Sequence, residues 1–265
     1  MTEPKHIVFD GALEELPPIT LEEMDSIKLM NRIDSKYLTN EATLLRILAD
    51  AAAAGYRALT IGDLKQSRYN SVYYDTVNLK MFYDHRNKHL VRQKVRTRTY
   101  LESGQAFLEI KRKNNHGRTK KKRMEIPQEQ LLDFSENTAA CDYLASHSWF
   151  KAPELAPVLS TAFKRITLVN PAKTERLTID TELEFLNYRT SHRTSLQDAV
   201  IIELKQDGRA DSQMKNILLD LRVKPARVSK YCVALTLTDQ KARPGRFKMK
   251  IKTIEKIIGN KLVTL

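Results

Sequence analysis

Glycine and cysteine are scarce in this sequence of 265 residues, which contains eight glycines and two cysteines. Cys141 and Cys232 lie far apart in apolar patterns, which excludes a disulfide framework and a Cys-x-x-Cys metal site and predicts buried thiols. No dinucleotide fingerprint or Walker A loop occurs, because no glycine stands at the required distance before Gly259 and Lys261. A nucleotide, if one binds, therefore binds without a glycine cradle.

Long apolar runs are also absent. No stretch approaches the roughly 20 apolar residues that a membrane-spanning helix needs. The N-terminus has no basic start followed by an apolar segment, as a secretory signal would. We therefore expect no transmembrane segment and a cytoplasmic location. The contents of 42% hydrophobic and 29% charged residues are typical of a globular protein.

Negative charge is in deficit. The chain has 45 lysines and arginines against 32 acidic residues, a formal net charge of +13. Such an excess predicts a polyanionic partner: nucleic acid, anionic lipid or phosphate-rich small molecules.

We predict a single domain over residues 1–240 and a basic C-terminal tail over 241–265, which has eight lysines and arginines against one glutamate. The tail is either a solvated end, an arm that collects a long polyanion, or a peripheral contact with an anionic membrane.

Local signals predict helices first and strands later. Thr20 and Glu23 form a capping box that opens a helix to about Asn31, and Asn40 caps a second helix that Gly55 ends. Further helical patterns cover residues 78–84, 128–150, 210–221 and 228–237. From Lys88 onward, alternating segments predict a mostly antiparallel sheet. These segments are HLVRQKVRTRTY, AFLEIKRK, RTKKKRMEI, APVLSTAFKRITLV, ERLTIDTELEF and AVIIELKQ.

Period-two alternation gives each strand one charged and one apolar face. The charged faces carry Arg92, Lys94, Arg96 and Arg98; Glu109, Lys111 and Lys113; Lys121, Arg123 and Glu125; Phe163 and Arg165; Arg176, Asp180, Glu182 and Glu184; and Glu203 and Lys205. The apolar faces carry Leu108, Ile110, Leu177, Ile179, Leu183, Val200, Ile202 and Leu204. One interpretation is a sheet with a solvated face. The other is a barrel with a charged lumen, because like charges on neighbouring strands repel unless a polyanion neutralises them.

Several short motifs, in order along residues 32–237, resemble the polyphosphate polymerase domain of the VTC (vacuolar transporter chaperone) family, a branch of the triphosphate tunnel metalloenzymes. They are Asp34-Ser-Lys36-Tyr37, the VRTR that contains Arg96 and Arg98, Phe107-Leu-Glu-Ile-Lys111, Lys121-Lys-Arg123-Met, Phe163-Lys-Arg165 with Arg176-Leu-Thr-Ile-Asp180, Glu203-Leu-Lys205, and Arg227-Val-Ser229-Lys230-Tyr231. The thiamine triphosphatase and adenylate cyclase branch opens with Glu-x-Glu-x-Lys. The equivalent Arg32-Ile-Asp34-Ser-Lys36 favours the polymerase branch.

The resemblance implies an α+β fold: a closed antiparallel β-barrel of roughly eight strands, the triphosphate tunnel, with helices packed on its outside. It also implies the site. The catalytic cations would be Lys36, Arg96, Arg98, Lys111, Arg165 and Lys230. The substrate-binding residues would be Lys121, Arg123, Arg176, Lys205, Arg227 and Ser229. Glu203 would carry Mn²⁺ or Mg²⁺.

Three function classes follow. The first is a polyphosphate polymerase that transfers the γ-phosphate of a nucleoside triphosphate, with ATP as first candidate, to inorganic polyphosphate. The second is a metal-dependent triphosphatase acting on inorganic triphosphate or a nucleotide, and the third is a non-catalytic polyphosphate-binding module. Nucleic acid is not expected, because few aromatic residues lie among the basic strands to stack bases.

His85 and His89 have a zinc-like spacing but no third ligand, so we predict that they are surface residues and not zinc ligands.

Overall fold

The structure, a computed structural model, describes residues 9–27, 29, 32–196, 198–208 and 211–262. The strands are β1 (Pro18–Ile19), β2 (Ile33–Asn40), β3 (Arg57–Leu59), β4 (Gln66–Asp75), β5 (Arg92–Tyr100), β6 (Gln105–Lys113), β7 (Thr119–Ile126), β8 (Ala156–Val169), β9 (Glu175–Asn187), β10 (Arg193–Ser195) and β11 (Ala199–Gln206). The helices are α1 (Asp10–Glu14), α2 (Leu21–Asp25), α3 (Glu41–Ala53), α4 (Lys80–Arg86), α5 (Thr138–His147), α6 (Gln213–Asp220), α7 (Lys230–Thr238) and α8 (Phe247–Ile258).

Helix ends follow the capping signals in the sequence. The Thr20 hydroxyl accepts a hydrogen bond from the Glu23 amide, and the Glu23 carboxylate accepts one from the Thr20 amide. This capping box opens α2, which ends at Asp25; the expected end near Asn31 lies outside the described residues. Asn40 caps α3, and Gly55 follows that helix with φ +74, a left-handed conformation that glycine adopts without strain.

The main sheet is antiparallel and has the strand order β2-β11-β9-β8-β4-β5-β6-β7. Its two end strands do not pair with each other, so the prediction of a closed barrel is wrong. The middle of β2 instead meets the segment before α7, where Pro225 bridges Tyr37 and the Ala226 amide donates to the Lys36 carbonyl over 2.7 Å. Alternation assigns the faces of strands but does not say whether two edges will join.

Helices cover both faces of the curved sheet, whereas the sequence predicted them only on the outside. α3 and α6 pack on the convex face of β8, β9 and β11, and α5 packs on the convex face of β5 and β6. α7 lies on the concave face, where Tyr231 stacks on Tyr73 with ring centroids 5.2 Å apart. α7 therefore fills one end of the space that the sequence assigned to an open lumen.

A register shift between β8 and β9 changes which side chains face inward. It falls between Ala162 and Lys164, opposite Glu182, which has φ 48. Beyond this bulge Leu183 joins the apolar cluster around α7, although the alternation had placed it on the opposite face. Glu182 pairs with Lys164 over 2.9 Å, and Glu184 is exposed. Both glutamates are therefore absent from the concave charged face.

The described part of the C-terminal segment contains α8. Its Phe247, Ile251, Ile254 and Ile258 are buried in the same core as α7. The division into a domain of residues 1–240 and a tail stays a prediction. Among the helices of the described residues, none has the length and apolar character needed to cross a membrane.

Candidate functional site: a cationic concave face

Neighbouring antiparallel strands place most of the predicted site residues side by side on the concave face. Their register sets Lys36 opposite Glu203, Lys94 opposite Lys111, and Lys111 opposite Lys121. The cations of this face are Lys36, Lys94, Arg96, Arg98, Lys111, Lys121, Arg123, Arg165, Arg176, Lys205 and Lys230. The carboxylates of this face are Asp34, Glu109, Glu125, Asp180 and Glu203. Positive charge therefore dominates the surface.

Glu109 forms the first ion-pair centre, on β6. Its carboxylate is fully buried, accepts a hydrogen bond from Arg96 Nε over 2.7 Å, and pairs with Lys121. Burial would raise the pKa of Glu109, but Arg96, Arg98 and Lys121 hold that pKa well below its usual value. Arg96 also donates to the Tyr73 hydroxyl over 3.2 Å. Its guanidinium is thus fixed on two sides.

Asp180 forms the second centre, on β9. Arg165 Nε and Nη2 donate to its two oxygens over 2.6 and 2.9 Å, and Lys230 Nζ reaches Oδ2 over 2.5 Å. The Lys230 ammonium also lies 3.0 Å from the centroid of the Phe163 ring. Burial favours a neutral Asp180, yet the two cations hold its pKa well below the usual value. This centre fixes the first residue of α7 to the sheet.

Glu203 forms the third centre, on β11, and is more accessible than the other two. Its carboxylate lies 2.9 Å from Lys36 and 3.7 Å from Lys205, and 27% of its side chain is exposed, against 7% for Asp180. Burial acts to raise its pKa, but Lys36 and Lys205 hold the pKa well below its usual value. Glu203 is therefore ionised and open to a ligand near neutral pH.

A further group of cations has no carboxylate partner in the described part of the chain. Lys94 donates to the Ser229 hydroxyl over 3.2 Å, and Arg98 donates to the Ser71 hydroxyl over 3.0 Å. Lys111 lies between Lys94 and Lys121, and the charge of Arg96 together with burial lowers the pKa of Lys111 to about 6. We call Lys94, Arg98 and Lys111 the unpaired cluster; its uncompensated charge is what an anion would neutralise.

The sequence profile of the VTC domain matches residues 31–238. The chain belongs to the VTC domain family. No curated protein matches it. Among solved structures it is similar to a candidate adenylate cyclase from Bacillus halodurans, at 12% identity and a TM-score of 0.49, covering 76% of this chain and 96% of that one. It is also similar to a candidate adenylyl cyclase from Hippeastrum, described as having a dominant triphosphatase activity, at 15% identity and a TM-score of 0.49, covering 76% and 94%.

Not every residue predicted for the VTC domain lies at the centre of this face. Arg123 is exposed on β7, with its guanidinium 4.7 Å from the centroid of the Phe107 ring. Arg176 is at the far end, where it donates to the Met24 carbonyl over 2.8 Å. Arg227 is exposed at the rim. Ser229 caps α7, and its hydroxyl also accepts the hydrogen bond of Lys94 in the unpaired cluster. The remaining predicted residues meet around the three carboxylates: Lys36, Arg96, Arg98, Lys111, Lys121, Arg165, Lys205, Lys230 and Glu203.

Four residues of the VTC domain site received no role from the sequence. Alternation placed Lys94, Glu109 and Asp180 on the charged face, so the signal for them was available. Their roles depend on cross-strand and helix contacts, such as Lys94 with Ser229 and Asp180 with Lys230. Tyr73, the hydroxyl partner of Arg96, had no comparable signal, because an aromatic residue in a strand is most often part of the core.

The donor set of the VTC domain fits a metal bound together with phosphate, not a metal held by protein alone. No group of three or more His, Cys, Asp or Glu side chains suited to a metal occurs in the described residues. Glu203 supplies one accessible carboxylate, and Mg²⁺ is commonly held by one or two carboxylates with substrate phosphates and water. The imidazoles of the two candidate zinc histidines do not converge.

The partners of those histidines explain this. His85 Nδ1 lies 3.2 Å from the Cys232 sulfur, and His89 Nδ1 lies 2.9 Å from Asp84. His85 is partly buried, so its prediction as a surface residue is wrong, whereas His89 is exposed. Burial, followed by the charge of Lys94, lowers the pKa of His85 to about 2. Of the two thiols, Cys232 is buried as predicted and Cys141 is partly exposed.

Proposed function

We propose that this VTC domain is a metal-dependent phosphotransferase that transfers the γ-phosphate of a nucleoside triphosphate, with ATP as first candidate, to the end of an inorganic polyphosphate chain. The observation that carries the proposal is the unpaired cluster of Lys94, Arg98 and Lys111 on the same face as the ionised carboxylate of Glu203. Membership of the VTC domain family supports the choice of substrate class.

The chemistry needs positioning and charge neutralisation more than a protein nucleophile. The terminal phosphate of an acceptor chain is already ionised near neutral pH, so no general base is required. Arg96 and Arg165 are held by Glu109 and Asp180, which makes their remaining N–H groups fixed donors. Lys94 and Lys111 have no carboxylate partner in the part of the chain that the structure describes, and would bind the phosphate oxygens.

Glu203 is the residue proposed to hold Mn²⁺ or Mg²⁺ jointly with the substrate phosphates. A metal bound there would offset negative charge on the transferred and bridging oxygens. Lys36 and Lys205 now pair with Glu203 and would be released toward the phosphates when the carboxylate takes a different partner. Glu203 thus links metal binding to the cationic surface around it.

Incubation with ATP and Mn²⁺, with separate measurement of polyphosphate and free phosphate, tests the proposal. We expect chains to form and added short polyphosphate to shorten any lag, because an acceptor end must lie in line with the transferred group. If only ADP and free phosphate form, at every metal and primer condition, the protein is a triphosphatase and not a polymerase. If polyphosphate chains bind but ATP is not turned over, the protein is a non-catalytic binding module.

The Glu203→Gln variant tests the metal assignment. We expect Mn²⁺-dependent turnover to fall by about a thousandfold, or about 4 kcal/mol, with tripolyphosphate binding retained, because a metal ligand is lost and no cation is removed. Glu184→Gln, at an exposed carboxylate of β9, is the matched control and should behave as wild type. Unchanged Mn²⁺-dependent activity in Glu203→Gln would remove Glu203 from the metal site.

A further inference from the structure

A second cationic pocket lies on the outer side of the β6–β7 hairpin, away from the concave face. It is a cavity of about 390 Å³ between the hairpin and the end of α5. Its basic lining residues are Arg112, Lys113, Arg118, Lys120 and Lys122. No carboxylate lines the pocket, and none of these five forms an ion pair within the described ranges of the chain. We call it the outer pocket.

The register of the hairpin concentrates this charge. Arg112 lies directly opposite Lys120, and Lys122 follows two residues later on the same face of β7. Like charges placed opposite each other on neighbouring strands are destabilising. Lysines on a free strand edge can protect against aggregation, and β7 is such an edge. Edge protection accounts for the charges but not for a walled cavity beside them.

An aromatic ring forms one wall of the cavity. The Arg112 guanidinium lies 4.9 Å from the centroid of the Trp149 ring, and the Trp149 side chain is about half exposed. Stacking holds the planar guanidinium in place while leaving its N–H groups free for an oxyanion. Asn114 and Asn115 line the same space. The outer pocket thus combines a fixed guanidinium, lysines and two asparagines.

Lys113 connects this pocket with the concave face. It lines the outer pocket and is two residues from Lys111 on β6, so by alternation it leans toward the concave side. Burial lowers the pKa of Lys113, and so do the nearby charges of Arg92 and Arg227. Arg92 lies directly opposite Lys113 on the neighbouring strand, and Arg227 is exposed nearby, so the three residues form a cationic rim between the two surfaces.

We propose that the outer pocket is a second binding subsite for a linear inorganic polyphosphate, reached from the concave face over the rim at Lys113. The identity of the polymer rests on the proposed function, whereas the site itself rests on the charges, the cavity and the stacked Arg112. A nucleoside triphosphate offers the same phosphate chemistry, but it has too few phosphates to occupy both surfaces at once.

Trp149 is the sole tryptophan of the chain, so tryptophan fluorescence, excited at a wavelength that the tyrosines do not absorb, reports on this pocket alone. The metal-free protein would be titrated with long-chain polyphosphate, tripolyphosphate and ATP at constant ionic strength. We expect a saturable change in fluorescence. Long-chain polyphosphate should produce it at a molar concentration of chains about tenfold or more below that needed of tripolyphosphate or ATP, because one long chain engages two linked sites. Lys113→Ala should reduce this advantage.

Charge-matched variants separate a local site from net charge. Lys120→Ala/Lys122→Ala should raise the required concentration of long-chain polyphosphate by about tenfold, or about 1.4 kcal/mol. Arg46→Ala/Lys173→Ala removes the same charge from two exposed positions, on α3 and between β8 and β9, and should change it by less than about twofold. Circular dichroism would verify that both variants are folded.

Three results would overturn the inference: no saturable change with any ligand, an equal loss in both double variants, or ATP as effective as the long chain. The test is independent of turnover. A protein that makes polyphosphate but gives no Trp149 response keeps its proposed function and loses the outer subsite. A protein that gives the response but makes no chain keeps the subsite and loses the polymerase function.

Discussion

Two sets of cations share the concave face, and they differ in whether a carboxylate neutralises them. Arg96, Arg165 and Lys230 are paired with buried Glu109 or Asp180. Lys94, Arg98 and Lys111 form no ion pair with a carboxylate among the described residues; Lys94 and Arg98 donate to hydroxyls, and Arg98 also lies over the rings of Tyr69 and Phe163. Removing one member of a buried pair leaves a charge without compensation, whereas removing one unpaired cation relieves repulsion. Loss of a carboxylate from the first set should therefore destabilise the fold, whereas loss of a cation from the second should mainly weaken ligand binding.

The largest effect on stability should come from breaking a buried centre. Asp180→Ala leaves Arg165 and Lys230 without their common carboxylate and should lower the free energy of unfolding by about 3–5 kcal/mol. Lys164→Ala, which removes the more exposed pair with Glu182 on the neighbouring strand, should cost about 0–1 kcal/mol. Denaturant unfolding of both variants measures the difference. Equal losses would abolish the distinction between the two sets.

Removing an unpaired cation should separate stability from activity. Lys111→Met should lower turnover of the nucleoside triphosphate by about 10²–10³-fold, because a charge facing the phosphates is lost. Below pH 6, where the Lys111 side chain is charged, the free energy of unfolding of the variant should stay the same or rise by about 0.2–1 kcal/mol relative to the wild-type protein, as repulsion across β5, β6 and β7 is relieved. Arg46→Met, at an exposed arginine of α3, is the control for both measurements. A variant that loses stability and keeps its turnover would place Lys111 in the stabilising set.

The sequence was sufficient to predict which residues share the charged face, because alternation depends only on position along a strand. It placed Arg96, Arg98, Lys111 and Arg165 together, and the structure does the same. The open sheet and the bulge at Glu182 were not predictable in this way, because edge pairing and a one-residue insertion leave the local pattern nearly unchanged. The bulge turns Leu183 inward, and α7 packs against that apolar patch.

Ion-pair partners were the other part that the sequence left open. Glu109 and Asp180 were visible as acidic residues among cations, but alternation alone does not show which cation each would meet. Which cation each carboxylate meets depends on the strand register and on a contact from α7, whose Lys230 is distant from Asp180 in the sequence. The motif around Ser229 and Lys230 indicated that the two belong to the site. The structure adds that Lys230 holds the helix to β9 through Asp180.

The smallest expected effect is the uptake of a proton by the protein when the ligand binds. In the free protein the pKa of Lys111 is about 6, since the charge of Arg96 and burial disfavour its ammonium form. A bound tripolyphosphate favours the ammonium form and raises this pKa, so binding at pH 8 should take up about one proton at this site. For the same reason the contribution of Lys111 to affinity should be complete below pH 6 and should weaken as pH rises above it.

Calorimetry in buffers of different ionisation enthalpy measures that uptake, and Lys111→Arg is the matched control. Arginine keeps its charge at pH 8, so the variant should take up about one proton fewer than the wild-type protein. Lys94 and Lys205, whose pKa values burial also lowers, are present in both proteins, and so is the titration of tripolyphosphate itself. These contributions cancel in the difference. Equal uptake by the two proteins would mean that Lys111 is already charged before the ligand arrives, and the unpaired cluster would then bind phosphate without proton exchange at that lysine.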